Sequence, residues 1–402
     1  MRTALLAALP LLTNAIAQPQ TFKVLYTFTG TSDGSSPRYL YLDGGHLLGT
    51  TLDGGSAAGQ AGNGTIFQLD IPTRQLTVLH TFAGEPTDGS QAVTTLVRGP
   101  SGDYYGITYT GGSMGGGTVF QMDPAGAVTL LHSFRQTRDE WPNGEGPLVG
   151  LALDSSGDLY GGTMAGGADD CGTVFKLHPG GSLTTLYNLT CQPDGRAAVA
   201  TLLLQGSLYG VSPYGGASNF GDVFAVDTNT GEETILHGFG GSDGAEPNGG
   251  LIGDGAGNIY GTTTGGGAGG KGVVFEINIA TGTYTVLHAF EGPEGANPVA
   301  GLIRDQEDNL YGTTVQGGAH THAGFACTQG CGAVFELTAA GSLIVIHSFA
   351  GGAGGASPYG SLVADGEGHI YGATAIGGLV GGCYSGAGCG TIFEIALAAG
   401  GQ

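Results

Sequence analysis

The stretch "LYGTTVQGGAHTHAGFACTQGCGAVFELTAAGSLIVIHSF" (residues 310–349) decides the fold, because most of its phrases recur along the 402-residue chain. It contains three short apolar runs, "LYGTT", "AVFEL" and "LIVIHSF", separated by glycine-rich segments. The runs are rich in Val, Ile, Leu, Thr and aromatic residues and lack helical spacing. They are therefore predicted to be β-strands joined by turns and loops.

Phrases of the form "LYGTT..GG" occur seven times, and each is followed by a phrase such as "GTVF". The closing phenylalanines lie 49 to 60 residues apart: Phe67, Phe120, Phe175, Phe224, Phe275, Phe335 and Phe393. An apolar run precedes each "LYG" phrase, and a run such as "TVLHTF" follows the phenylalanine. Four strand candidates in each of seven units predict an all-β, seven-bladed β-propeller with four strands per blade.

The fourth run is missing after the seventh unit, which ends "GTIFEIALAAGGQ". A copy of it, "FKVLYTF", stands at residues 22–28. Because a closed ring leaves no free strand edge, we predict that this N-terminal strand forms the outer strand of the last blade. Residues 18–402 are then expected to form a single propeller domain.

The unit "LYGTT..GG...GTVF......LHSF" resembles the GloVer tandem repeat of exported proteins. The resemblance covers residues 22–395, and several phrases recur in a fixed order. Unit four departs from the pattern with "SPYGG" and "GDVF", unit three departs with "LYNL", and units six and seven carry long inserts. The resemblance implies a repeat-built exported protein, and no catalytic residues can be carried over from it to this chain.

The N-terminal segment "MRTALLAALPLLTNAIA" has the charged start, apolar centre and A-x-A ending of a signal peptide, so residues 1–17 are expected to be removed. A secreted, extracellular location follows. Six cysteines fit that location as disulfides. Asn63 and Asn188 begin N-glycosylation sequons, which predict a glycoprotein if the host glycosylates.

The charge balance limits the partners. Lys and Arg total 11 against 33 Asp and Glu, which gives a net charge of -22. This balance argues against nucleic acid and anionic membranes as partners. No stretch after the N-terminal segment is long enough to predict a membrane span, and a monomer is expected.

Strands A to D of each blade are labelled from the inner to the outer strand. Alternate connections then emerge on alternate faces, so the B–C and D–A loops share one face and the short A–B and C–D turns share the other. The B–C and D–A loops are longer and more variable. Functional residues usually lie on such loops.

This arrangement predicts disulfides between cysteines of the same or adjoining loops. Cys171 precedes strand C of unit three, and Cys191 follows strand D of that unit. The other expected pairs are Cys327–Cys331 and Cys383–Cys389. A cross-pairing between the loops of units six and seven remains the alternative, because connectivity is not fixed by sequence.

The strongest candidate patch combines two loops that emerge on the same face. The D–A loop "RQTRDEWPNGEGP" (residues 135–147) carries Arg138 and the chain's single tryptophan, Trp141, as ligand-binding candidates. The weak catalytic candidates are Asp139, Glu140, Asp169 and Asp170. Carboxylates beside an aromatic ring suit sugar stacking or acid–base chemistry, and a solvated charged loop is the competing interpretation.

Two groups of histidines bear on the question of function. Those of the repeated "LHSF" phrase hold one position in the repeat and are expected to be structural: His80, His132, His237, His288 and His347. His320 and His322 occur in one unit alone and are candidate ligand-binding residues. Their spacing to Cys327 and Cys331 matches no zinc module, so neither a metal site nor another cofactor is predicted.

The sequence therefore predicts a secreted binding or interaction protein that presents a ligand face made of B–C and D–A loops. The ligand could be a small molecule, a glycan or a protein. An enzyme that acts on a carbohydrate or small metabolite by carboxylate acid–base chemistry is one alternative. A structural surface protein is the other, and whether the chain is catalytic stays open.

Overall fold

The computed structural model describes residues 20–55, 62–136, 144–147, 150–198, 203–204, 207–321, 327–378, 383 and 386–397. These residues form seven main antiparallel sheets, one for each repeat unit. The only helical segment among them is a 3-10 turn at Gly352–Gly354, so no described helix is long and apolar enough to cross a membrane. The predicted all-β, seven-bladed β-propeller is confirmed.

The first three blades follow the chain order. Strand β1 (Thr21–Thr27) comes first and belongs to the last blade. Blade one contains β2 (Ser35–Asp43), β3 (His46–Asp53), β4 (Thr65–Asp70) and β5 (Leu76–Thr81). Blade two contains β6 (Gly89–Ala92), β7 (Val97–Arg98), β8 (Tyr104–Gly111), β9 (Gly115–Met122) and β10 (Val128–Arg135). Blade three contains β11 (Ala152–Leu153), β12 (Leu159–Gly162), β13 (Thr173–Leu177) and β14 (Leu183–Asn188).

A two-stranded ribbon stands between blades three and four. It pairs β15 (Gly195–Arg196) with β18 (Tyr214–Gly215). Blade four itself contains β16 (Leu203–Leu204), β17 (Ser207–Ser212), β19 (Asp222–Asp227) and β20 (Glu233–Gly238). Blade two differs from the four-strand prediction in its inner strand, because β6 and β7 pair separately with β8.

The last three blades complete the ring. Blade five contains β21 (Ile252–Gly253), β22 (Asn258–Thr263), β23 (Val273–Asn278) and β24 (Thr283–Ala289). Blade six contains β25 (Ile303–Arg304), β26 (Leu310–Thr314), β27 (Ala333–Leu337) and β28 (Leu343–Ser348). Blade seven contains β29 (Val363–Ala364), β30 (His369–Thr374) and β31 (Thr391–Ala396), followed outward by β1.

The N-terminal strand closes the ring as predicted. β1 runs antiparallel to β31, with Phe22 opposite Ile395 and Thr27 opposite Thr391. The strand spans Thr21–Thr27 rather than residues 22–28. Phe28 instead follows the strand and turns its ring onto Phe67 of blade one, so the closing segment joins the last blade to the first.

Phenylalanine pairs hold neighbouring blades together. In each pair, the phenylalanine at the end of strand D packs on the strand C phenylalanine of the next blade, with ring centroids 5.2 to 5.6 Å apart. Six pairs have this geometry: Phe28–Phe67, Phe82–Phe120, Phe134–Phe175, Phe239–Phe275, Phe290–Phe335 and Phe349–Phe393. Between blades three and four, Leu189 takes the first position and packs in one cluster with Phe224. Tilted and edge-on aromatic contacts of this kind stabilise beyond their buried area.

The glycine of each "LYG" phrase makes room for the strand C phenylalanine. Gly261 lies opposite Phe275 in the pairing of β22 with β23. A Cβ atom on Gly261 would stand 2.5 Å from Cζ of Phe275 and 2.8 Å from a methyl carbon of Leu251. The phenylalanine rings can therefore occupy the middle of the sheet only because strand B has no side chain there.

Replacing Phe28 by Ala is expected to destabilise the whole ring. The Phe28 side chain is fully buried, and truncation of a buried phenylalanine costs about 3–5 kcal/mol. Chemical denaturation followed by circular dichroism measures this cost. Lys23→Ala is the control in the same strand, since its exposed ion pair with Glu394 contributes no more than about 1 kcal/mol. Equal losses in both variants would contradict closure by this segment.

Gly261→Ala is expected to lower the free energy of unfolding by about 1–3 kcal/mol, because the new methyl group overpacks the sheet against Phe275. Gly45→Ala is the matched control, since a Cβ atom there meets no atom within 4 Å. The same denaturation experiment compares the two. A Gly261→Ala protein as stable as the control would rule out the steric role of this glycine.

Candidate functional site

The B–C and D–A loops lie on one face, as the strand order predicts. Backbone hydrogen bonds join them within successive blades: the Gly112 N–H donates to the Asp88 carbonyl at 2.7 Å, and the Gly267 N–H donates to the Gly241 carbonyl at 3.0 Å. In blades two and five, these bonds hold the B–C loop against the D–A loop that precedes the blade. Described loops of both kinds therefore lie together on one face of the sheets.

The repeated strand D residues fix the D–A loops. His80 Nε2 lies 2.9 Å from Asp88 Oδ2, and His237 Nε2 lies 3.0 Å from Asp243 Oδ2. In blade three the Tyr187 hydroxyl donates to Asp194 at 2.9 Å. In blades one and four, the strand D histidine therefore holds the aspartate of the following D–A loop, which is a structural role.

Three disulfides cross-link loops of this face, and the described residues include no free cysteine. They are Cys171–Cys191, Cys327–Cys331 and Cys383–Cys389, with Cα–Cα distances of 5.4, 4.7 and 5.1 Å. These are the three expected pairs, and the alternative cross-pairing of units six and seven does not occur. Cys171–Cys191 joins the B–C loop of blade three to the D–A loop that leads into blade four.

A cleft with a volume of about 1080 Å³ lies on this face. Loops of blade two form one side, loops of blade three form the floor and opposite side, and Arg196 lies beyond them. Its lining residues are Tyr109, Thr110, Gly115, Gly116, Gln136, Glu145, Gly146, Met164, Ala165, Gly167, Ala168, Asp169, Asp170 and Arg196. We refer to it as the blade-three cleft.

Two of the sequence candidates, Asp169 and Asp170, line the blade-three cleft, and both are exposed. Asp170 has a φ of 56° and accepts a hydrogen bond from the Gly166 N–H at 2.9 Å, so its loop turns tightly at that point. Glu145 lies between the same walls. Its backbone N–H donates to the Ala165 carbonyl at 2.8 Å, which fixes the segment beside the floor.

Arg196 supplies the positive charge of the cleft. Its guanidinium makes no ion pair among the described residues, although Asp169 and Asp170 line the same cleft. Disulfide Cys171–Cys191 fixes the two loops that carry these groups. The cleft therefore offers charges of both signs and the Gln136 amide to a bound molecule.

Two exposed side chains belong to residues that contact lining residues of the cleft. Tyr214, which is 49% exposed, lies opposite Arg196 in the ribbon of β15 and β18. Met114 is 40% exposed, and its carbonyl accepts a hydrogen bond from the Gln136 N–H at 2.9 Å. Large exposed side chains next to a polar cleft are suited to contact a ligand.

The remaining sequence candidates are not among the described residues that line this cleft. Arg138, Asp139, Glu140 and Trp141 fall outside the described residues, as does His322. His320 is exposed in the B–C loop of blade six and does not line the blade-three cleft.

His320 has a backbone contact with the disulfide of its own loop. Its carbonyl accepts a hydrogen bond from the Cys331 N–H at 3.2 Å. Burial, followed by the charge of His320, lowers the pKa of His347 to about 4. No cluster of His, Cys, Asp and Glu among the described residues could hold a metal ion.

Both sequon asparagines are half-buried and hydrogen-bonded through Oδ1. Asn63 accepts from the Ser90 hydroxyl at 3.0 Å, and Asn188 accepts from the Ala168 N–H at 3.3 Å. Ala168 lines the blade-three cleft. Asn188 therefore stands directly behind the floor of the cleft.

Sequence reasoning missed a buried acidic group between blades three and four. Asp222 is 0% exposed and Asp194 is 2% exposed, while Glu233 is half-buried. Asp194 accepts hydrogen bonds from the Tyr187 hydroxyl and from both the N–H and the hydroxyl of Thr190. Neither carboxyl oxygen of Asp222 has a hydrogen-bond partner.

The signal for this group was the departure "GDVF" in unit four, where other units have "GTVF" or similar phrases. Burial, then the charges of Glu233 and Asp194, raises the pKa of Asp222 to about 8. The Ser212 hydroxyl, which lies beside Asp222 outside hydrogen-bond geometry, opposes that rise. Burial and the charge of Asp194 also raise the pKa of Glu233 to about 7.

The repeat and the loop-bearing face define a β-propeller assembled from tandem sequence repeats. The model of the Gloeobacter/Verrucomicrobia repeat matches residues 13–148 and 141–326. The chain belongs to that repeat family. A comparison with curated proteins found no match.

Solved structures share the fold at low sequence identity. The extracellular domain of a protein classed as a hybrid two-component system from B. thetaiotaomicron has a TM-score of 0.57 and 12% identity. The match covers 93% of this chain and 39% of that one. An oligogalacturonate lyase from Vibrio parahaemolyticus has a TM-score of 0.52 and 11% identity, covering 96% of this chain and 99% of its own. These likenesses show the propeller fold alone.

Asp222→Thr is expected to stabilise the protein near neutral pH. The carboxyl ionises near 3.8 when unfolded and near 8 when folded, so folding stability falls as pH rises from about 4 to about 8. Threonine stands at the equivalent position in blades one, two, three and seven. It has no carboxyl to ionise, so it removes this loss of folding free energy, which is on the order of a few kcal/mol. Thermal unfolding across this pH range measures the effect.

Glu232→Gln, which removes an exposed neighbouring charge, is the control for that experiment. It is expected to leave the pH profile of the melting temperature unchanged. If Asp222→Thr shifted the melting temperature equally at acidic and alkaline pH, the buried carboxyl would not be the titrating group.

Proposed function

We propose that this chain is an exported binding protein that holds a saccharide in the blade-three cleft. One observation carries the proposal: the Cys171–Cys191 disulfide joins the loops that bring Asp169, Asp170 and Arg196 to a single cleft of about 1080 Å³. That volume is slightly above the ~300–1,000 Å³ typical of ligand sites. It accommodates an oligosaccharide.

The polar lining favours a neutral, hydroxyl-rich ligand. Carboxylates accept hydrogen bonds from ligand hydroxyls, and an arginine donates hydrogen bonds to ligand hydroxyls. A glutamine amide can donate and accept. Among the described lining residues, three carboxylates outnumber one cation, on a chain whose net charge is -22. An anionic ligand is therefore repelled, whereas sugar hydroxyls match donors and acceptors together.

Two further features support sugar binding. Tyr214 offers an exposed ring beside Arg196, and aromatic rings combine an apolar face with a polar end at binding surfaces. The disulfide also fixes the walls before the ligand arrives. Such preorganisation lowers the entropic cost of binding.

Export belongs to the same proposal. The apolar N-terminal segment, the three disulfides and the extracellular domain among the fold relatives support a secreted monomer from which residues 1–17 have been removed. Glycosylation at Asn63 and Asn188 stays a prediction. It would first require release of the hydrogen bonds to their Oδ1 atoms.

A carbohydrate-active enzyme is the second candidate, because Glu145 lines the same cleft as Asp169 and Asp170. Paired carboxylates perform acid–base chemistry on glycosidic bonds. Residues 137–143, which carry Asp139 and Glu140, lie outside the described residues. The enzyme hypothesis therefore depends on measured turnover.

Isothermal titration with cellohexaose, mannohexaose and hexagalacturonate tests the proposal. At least one neutral hexaose is expected to bind, and the charged hexagalacturonate is expected to bind more weakly. Arg196→Ala is expected to weaken binding about tenfold, since a lost charged hydrogen bond costs at least ~1.4 kcal/mol. New reducing ends released during the titration would favour the enzyme instead.

Arg74→Ala is the matched control, because Arg74 is exposed in a C–D turn on the opposite face. It should bind like the unmodified protein. No binding of either neutral hexaose, or binding that Arg196→Ala leaves unchanged, would refute a saccharide site in the blade-three cleft.

A further inference from the structure

The residue two positions before the strand C phenylalanine is equivalent in every blade, and only blade four has a titratable group there. The residues at this position are Thr65, Thr118, Thr173, Asp222, Val273, Ala333 and Thr391. In blade one the Thr65 hydroxyl bonds the Thr51 hydroxyl at 2.9 Å, which satisfies both groups. The equivalent pair in blade four is Ser212 and Asp222, and the side-chain oxygens of both lack partners.

Asp222 lies directly beneath the ribbon of β15 and β18. A Cβ atom on Gly195 would stand 2.9 Å from Asp222 Oδ2, and one on Gly216 would stand 3.3 Å from the same oxygen. These glycines bring the ribbon backbone into contact with the buried carboxyl. The ribbon carries Arg196 and Tyr214 on its two strands, so the carboxyl supports one wall and one rim residue of the blade-three cleft.

The charged groups around Asp222 are acidic. Asp194 approaches from the D–A loop, Glu233 from strand D of blade four, and the Tyr187 hydroxyl from strand D of blade three. Two basic side chains of the neighbouring segments point away from Asp222. Arg196 is exposed in the cleft, and His237 stacks on Tyr284 of blade five at 3.7 Å.

We propose that Asp222 is a positioning residue whose protonated form leaves the β15–β18 ribbon in place and whose ionised form loosens it. The consequence for saccharide binding rests on the function proposed above. The movement of the ribbon does not depend on that function. The cleft would thus be ordered at neutral and acidic pH and disordered along one wall at alkaline pH.

The direction of the pH effect on the ribbon follows from the charge of the buried carboxyl. Burial raises the pKa of Asp222 to about 8, so the carboxyl is mostly neutral at pH 7. Above pH 8 it becomes a buried anion that faces Asp194 and Glu233, and like charges in a low-dielectric site repel strongly. Asp194 directly precedes the ribbon, so repulsion acts on the segment that leads to Arg196.

Hydrogen exchange of the full chain without ligand tests this directly. Amides of residues 191–198 are compared in the unmodified protein and in Asp222→Thr, at about pH 4 and about pH 8. Comparison at one pH cancels the intrinsic exchange rate. We expect equal exchange at the lower pH and at least about tenfold faster exchange of the unmodified protein at the higher pH, because each pH unit between the pKa of the exposed carboxyl and the raised pKa of the buried carboxyl favours the opening about tenfold.

Glu232→Gln is the control and should exchange like the unmodified protein at both pH values. Equal exchange of the unmodified protein and Asp222→Thr at the higher pH would overturn the proposal, as would a difference that is the same at both pH values. Titration of the hexaose that binds at each pH then separates the two proposals. If exchange of the ribbon depends on pH but the protein binds no hexaose, the positioning role of Asp222 stands and the saccharide site is refuted.

Discussion

The contact between a strand D phenylalanine and the strand C phenylalanine of the next blade is the interaction on which the ring depends. It joins one sheet to the next at almost every interface, including the one where Phe28 meets Phe67. The sheet can accommodate these rings because a glycine stands opposite the strand C position, as Gly261 does for Phe275. Blade packing and the "LYG" phrase are therefore two aspects of one steric requirement.

The interface between blades three and four departs from this pattern, and the candidate site lies beside it. Leu189 stands where the other blades have phenylalanine, and Tyr187 replaces the repeated histidine. Glu233 occupies the strand position at which blade five has Tyr284, whose ring stacks on His237. A less apolar interface admits Asp222, and the Cys171–Cys191 disulfide adds covalent strength at the same place.

The fold could be predicted from the sequence because repetition reveals it. Four phrases per unit defined the strands, and the displaced copy "FKVLYTF" showed how the ring closes. Loop order also placed Cys171 and Cys191 at the same end of a sheet. The split inner strand of blade two was not predicted, since β6 and β7 differ from their counterparts in backbone pairing rather than in apolar character.

The candidate site was only partly predictable. Asp169 and Asp170 stood out because their loop is acidic, but Arg196 belongs to a stretch with no distinctive motif. Asp222 was visible as a departure from the repeat, yet its burial depends on glycines of two other segments, Gly195 and Gly216. Distances between loops of different blades arise from packing, and a linear pattern of residues does not encode them.

Closure by the N-terminal strand has a consequence for how the protein forms. Lys23 pairs with Glu394 across 371 residues, so the seventh sheet cannot be completed until nearly the whole chain has been made. Contacts between such distant segments slow folding, because the loop between them must close first. Six blades can therefore assemble while β1 remains unpaired, and β1 is the last strand to pair. An incomplete chain would retain an exposed sheet edge, by which quality-control proteases could distinguish it from the finished ring.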